Sequence, residues 1–87
     1  MNKYIKMGFS IKDDGIFEFS YAPLSLEDKL KEKGFEVVYK QAYVESGYCT
    51  IRVKMKQDSD IRILLDLLRE RNEQVIDDYK KERGITW

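Results

Sequence analysis

Residues 5–21 read IKMGFSIKDDGIFEFSY, and the length of the turn in the middle decides how the chain folds. On both sides of it apolar and polar residues alternate, the pattern of strands with one buried face. Over residues 2–11, Ile5, Met7, Phe9 and Ile11 share one face, and Tyr4, Lys6, Gly8 and Ser10 share the other. Downstream, Phe17, Phe19 and Tyr21 fall on one face. Cross-strand partners lie on the same side of a sheet, so the register that keeps apolar partners together sets the turn. A two-residue Asp14-Gly15 turn would set Ile11 against Glu18. A three-residue loop, Asp13-Asp14-Gly15, sets Ile11 against Phe17, Phe9 against Phe19 and Met7 against Tyr21. The second register predicts a hairpin closed by a type I turn with a G1 bulge, Gly15 taking positive φ.

Working outward, Pro23 ends this hairpin. Ser25 is placed to cap a short helix, with Asp28 three residues on as a capping-box partner. Leu26 and Leu30 share one face, Lys29, Lys31 and Lys33 load the C-terminal turn, and Gly34 stands where a C′ glycine would stop the helix. About two turns long, this helix depends on docking.

A second hairpin follows: FEVVYKQAYVE at 35–45, a Ser46-Gly47 turn, and YCTIRVKMK at 48–56. Two registers compete. A two-residue turn pairs Val44 with Cys49, Ala42 with Ile51 and Val38 with Met55, but sets Lys40 against Val53. A three-residue loop pairs Tyr43 with Cys49, Tyr39 with Val53 and Val37 with Met55, but sets Gln41 against Ile51. A mid-strand bulge could reconcile them. In both, Arg52, Lys54 and Lys56 face away from the Ile51 side.

The last element is a long helix, capped by Ser59 or Asp58 and closed by Gly84 with Ile85 as its C″ contact. Ile61, Leu64, Leu65, Leu68, Val75, Ile76 and Tyr79 form its apolar stripe, interrupted by Asn72. At 1.5 Å per residue the helix would be about 37 Å long against about 33 Å for a ten-residue strand, so its end projects beyond the sheet. The order is ββαββα. The expected fold is a single α+β domain over residues 1–87: a four-stranded, mostly antiparallel sheet with both helices on one face.

Composition narrows the function classes. Lys plus Arg and Asp plus Glu both number 16, giving zero formal charge, where a general polyanion binder would carry a positive excess. There is no histidine, the commonest general base and metal ligand near neutral pH. The lone Cys49 lies on an apolar strand face and reads as a small buried hydrophobe. Phosphate loops, nucleophile elbows, CxxC and EF-hand spacings are absent. The acidic pairs each have a structural explanation: Asp13-Asp14 as turn residues, Asp58 with Asp60 at a helix N-terminus, and Asp77-Asp78 among Lys80, Lys81 and Arg83 on an exposed stretch of helix. A non-enzymatic protein without cofactor or metal is expected. No run approaches the ~20 apolar residues of a membrane span, no signal-peptide core is present at the start, and the single thiol fits a reducing compartment; the expected location is cytoplasmic.

Three places could receive a partner. Ile63 and Leu67 sit opposite Ile61 on a helical wheel, so the first turns of the long helix are apolar all round and need cover on both sides, from the short helix or from another chain. Trp87 offers an aromatic anchor. The row Arg52, Lys54 and Lys56, extended by Tyr48, Lys40 and Lys6, could track single-stranded nucleic acid, although the βαββαβ order of RNA-recognition motifs and the GXXG loop of KH domains are missing. Short, rich in Lys, Ile and Tyr and lacking a catalytic set, the chain resembles in composition the small accessory proteins of phages and mobile elements, a resemblance that implies work by covering a partner's surface. The expected function is a non-catalytic protein-binding module, an inhibitor or regulator that docks on a protein partner and self-associates as a homodimer through Ile63, Leu67 and Trp87. The alternative is a nucleic-acid-binding protein using Tyr48, Arg52, Lys54 and Lys56.

Overall fold

A computed structural model describes residues 5–43 and 47–84. Its elements are β1 (Gly8–Lys12), β2 (Ile16–Pro23), α1 (Leu26–Glu32), β3 (Glu36–Ala42), β4 (Tyr48–Lys54) and α2 (Asp60–Arg83). The strands form one antiparallel sheet in the order β1-β2-β4-β3. The fold is the expected α+β arrangement, and its order puts β2 and β4 at the centre. Phe17, Phe19, Cys49, Ile51 and Val53 of these two strands are completely buried, against Leu26 and Leu30 of α1 and Leu64 and Leu67 of α2. Both helices therefore cover one face.

The first hairpin adopts the three-residue register, with Lys12 opposite Ile16, Ile11 opposite Phe17 and Phe9 opposite Phe19. Its loop differs from a type I turn with a G1 bulge. Gly15 has φ +72°, as expected, but Asp14 is also left-handed at φ +68°, a conformation that the short polar aspartate side chain tolerates. The expected Met7–Tyr21 pair does not form on the apolar face. A bulge between Phe19 and Ala22 puts Tyr21 at φ +55°, which shifts the alternation so that Ala22, not Tyr21, is buried. Tyr21 instead meets Tyr43 edge-on, ring centroids 5.3 Å apart.

β1 is also shorter than the strand read over 2–11, and begins at Gly8. Just before it, Asn72 of α2 holds the Met7 backbone at both ends: Met7 N–H donates to Oδ1 at 2.7 Å, and Nδ2 donates to the Met7 carbonyl at 3.0 Å. A side-chain amide thus does there what a neighbouring strand would do, and Asn72's interruption of the stripe is explained.

The second hairpin follows neither expected register. Ala42 faces Cys49, Lys40 faces Ile51 and Tyr39 faces Arg52, and the Tyr43 N–H donates to the Tyr48 carbonyl at 2.9 Å. The connection is therefore longer than either turn considered; Val44 and Ser46 lie outside the described residues. The anticipated bulge is present, between Val37 and Tyr39. Lys40, the polar misfit of one register, sits on the helix-bearing face at the sheet edge, where its Nζ reaches Glu27 of α1 at 2.7 Å.

Neither serine caps its helix. Ser25 (φ −70°, ψ −13°) and Ser59 (φ −64°, ψ −18°) have helical backbones and make no capping bond, because a side-chain cap requires an extended residue. The buried Asp60 that opens α2 instead ties down the loop before it, its Oδ2 accepting the Lys56 N–H at 2.8 Å and the Gln57 N–H at 3.3 Å. α1 ends as expected at Gly34 (φ +87°): Phe35 N–H reaches the Leu30 carbonyl and Gly34 N–H that of Lys31, both at 3.0 Å. This is a Schellman motif in which the C″ and C3 side chains, Phe35 and Leu30, are both buried. Gly84 closes α2 at φ +68°, and its expected C″ contact, Ile85, lies outside the described residues.

Candidate protein-docking edge

The two edges of the sheet are unlike. β3 carries Glu36, Lys40 and Gln41 and is broken by a bulge, devices that deter pairing with another chain. β1, GFSIK, has one lysine at its end, no proline and an unbroken register. Phe9 and Ile11 point to the helix-bearing side, yet are 47% and 52% exposed. Phe9 is held flat on the fully buried Phe17, ring centroids 5.4 Å apart and planes 7° from parallel, so its outer surface is presented by a rigid support.

α2 continues this surface. The Asn72–Met7 bonds fix which flank of the helix looks toward β1. At 100° per residue Ile61, Leu65 and Leu68 share that flank with Asn72, and all three are only partly buried. An open groove there is lined by Ile61, Arg62, Leu65, Asp66 and Arg69. Among the described residues, β1 thus has exposed apolar side chains and an edge with no strand partner, and the flank of α2 that looks toward it carries partly buried apolar residues beside charged ones.

The residues singled out from sequence fare differently. Leu67 is 6% exposed and belongs to the core with Leu26 and Leu30. α1 supplies the second cover that the first turns of α2 need, so the expectation of an outward Leu67 is corrected. Ile63 stays 40% exposed. Trp87 lies outside the described residues. The cationic row is displayed opposite the helices but is largely engaged. Arg52 Nε donates to Glu18 Oε2 at 2.6 Å and its guanidinium lies 4.7 Å over the Tyr39 ring. Lys54 Nζ donates to the Asp14 carbonyl, while Lys56 is exposed. Tyr48 is 7% exposed and offers no stacking platform. Lys40 belongs to the opposite face and does not extend the row. The sequence places Phe9 and Ile11 on the apolar face of the strand, but alternation gives the face and not the strand's position in the sheet, so their exposure was not legible.

The ionic pattern supports the frame. Arg52, foremost by its hydrogen bond, and Lys12 at 3.8 Å hold the Glu18 carboxyl below the usual carboxylate range. The Lys40 and Lys31 hydrogen bonds do the same for Glu27. Burial pushes the Cys49 thiol up, the direction of an inert core thiol. Among the described residues no group of three or more aspartate, glutamate or cysteine side chains comes together to hold a metal ion. Nor, among them, is any helix long and apolar enough to cross a membrane.

Among the described residues, fold and edge together define a small α+β domain with an open sheet face and a β1 edge that no other strand pairs. No protein-family model matches this sequence, and no curated protein or solved structure matches it.

Proposed function

We propose that this is a non-catalytic protein-binding module that docks an extended protein segment along the free edge of β1. The observation that carries the reading is the combination at Phe9 and Ile11: two large apolar side chains about half exposed on an unguarded edge strand. Strand addition supplies backbone hydrogen bonds for affinity, and alternate side chains of the added strand meet the apolar residues of β1 and α2 for selectivity. A docked segment would cover those residues, which suits an inhibitor or regulator acting by occlusion.

The test is a selection of short random peptides against the purified protein, followed by backbone amide spectra of labelled protein with the selected peptides. The expected result is extended sequences with alternating apolar residues, shifting the amides of Gly8–Lys12 and of Ile61–Leu68, with binding lost in Ile11→Lys. Peptides that leave β1 unshifted would overturn the reading, as would a selection that yields no binder for a protein that is monomeric.

A further inference from the structure

Resting on the reading of β1 as a docking edge, we infer that the strand it accepts is β1 of a second copy, paired antiparallel about a two-fold axis at Ser10. The strand is self-complementary in that register and in no neighbouring one. Centred on Ser10, Phe9 faces the partner's Ile11, Ser10 faces the partner's Ser10, and Lys12 faces the partner's Gly8. Every apolar residue meets an apolar residue, and no charge faces a like charge. Moved to centre on Ile11, the pairing sets Phe9 against the acidic Asp13 of the turn. Moved to centre on Phe9, it sets Ile11 against the partner's Met7, whose backbone N–H and carbonyl are already taken by Asn72.

The surroundings agree. A two-fold axis normal to the sheet keeps both copies' helices on the same side of one eight-stranded sheet. The α2 flanks bearing Ile61 and Leu65 then approach the seam from both sides and close over Phe9 and Ile11. That contribution is needed, since a strand pair this short falls below the roughly 1,200 Å² that stable interfaces bury. With 16 cationic and 16 anionic residues the chain has zero formal charge, so two copies do not repel. The opposite edge, β3, is bulged and charged, so pairing stops at two copies and does not propagate.

Sedimentation velocity over a concentration series tests the assembly, and single cysteines in a Cys49→Ala background test its register. The expected mass is twice the 10.4 kDa of the chain. Ile11→Lys, at a half-exposed position where circular dichroism should show the fold intact, raises the dissociation constant about tenfold or more. Ser10→Cys forms a covalent dimer on oxidation, because directly opposed residues have Cα atoms about 4.5–5.5 Å apart, within disulfide reach. Lys12→Cys, two residues off the axis, does not. A monomer up to about 1 mM, a dimer indifferent to Ile11→Lys, or cross-linking at Lys12→Cys but not at Ser10→Cys would each overturn the inference. The docking reading fails separately: a monomer whose β1 amides shift with selected peptides refutes only the self-pairing, whereas a monomer that binds no such peptide refutes the docking edge as well.

Discussion

Asn72 shows what one residue can carry in a chain this small. It is the polar break in an otherwise apolar helix stripe, and its amide makes both hydrogen bonds to the backbone of Met7, which is 97% buried. Asn72→Leu would leave a donor and an acceptor without partners; the expected loss is about 1–3 kcal/mol in a urea or guanidinium titration. Asn72→Asp keeps the acceptor but sets a carboxylate oxygen against the Met7 carbonyl, and should cost at least as much. Asn72 stood out in the sequence as an anomaly, but its partner did not, because a backbone group 65 residues away leaves no trace in side-chain pattern. The Glu18–Arg52 pair makes a second prediction. Arg52 lowers the folded-state pKa of Glu18, so the pair's stabilisation is present at neutral pH and disappears as the pH falls below the usual carboxylate range through the lowered value. The denaturation midpoint of the native protein should drop over that acidic window, and the drop should be smaller in Glu18→Gln. Equal slopes for the two proteins would show that the pair contributes nothing.

Among the elements, α1 is the one whose role the sequence left open. Its residues, its length and its glycine stop were legible, since Leu26, Leu30 and Gly34 are local signals. Its position beside Leu67 was not, because a helical wheel reports that a face needs cover without saying what supplies it. The consequence is a sign change at Leu67. As a docking residue it would tolerate replacement; as a core residue it does not, and Leu67→Ala should cost about 2–5 kcal/mol. Unchanged stability with altered self-association would restore the earlier expectation. The Schellman stop gives a milder effect. A Cβ on Gly34 meets nothing within 4 Å, so Gly34→Ala carries only the backbone cost of φ +87° in an alanine, about 1 kcal/mol. Register was readable where the chain alternates without interruption, as in the first hairpin. It failed at Tyr21, where an unforeseen bulge exchanges the faces beyond it, and in the second hairpin, where Ala42 already faces Cys49 at the turn end because the connection is longer than either turn considered.

For the whole molecule, the strand order decides which faces and edges are free, and nothing in the two hairpins read separately determined that β2 would join β4. That junction buries Phe17, Phe19, Ile51 and Val53 completely and leaves β1 at an edge with Phe9 and Ile11 uncovered. It also leaves the end of α2 beyond the main core, where Ile76 and Tyr79 are 37% and 38% exposed. Stability should follow this layout, because local opening is easiest where few apolar contacts are lost. Amide hydrogen exchange should be slowest in β2 and β4, intermediate in β3, and fast in α2 beyond Tyr79. β1 separates an isolated domain from a paired one. In a monomer it is an edge like β3, and its protection is independent of concentration. When two copies pair, the outward amides of β1 gain partners from the second strand, and their protection rises with protein concentration by mass action. The β3 amides stay unchanged. Exchange measured at two concentrations about a hundredfold apart should therefore slow in β1 and not in β3; equal behaviour of the two edges would mean that β1 remains unpaired.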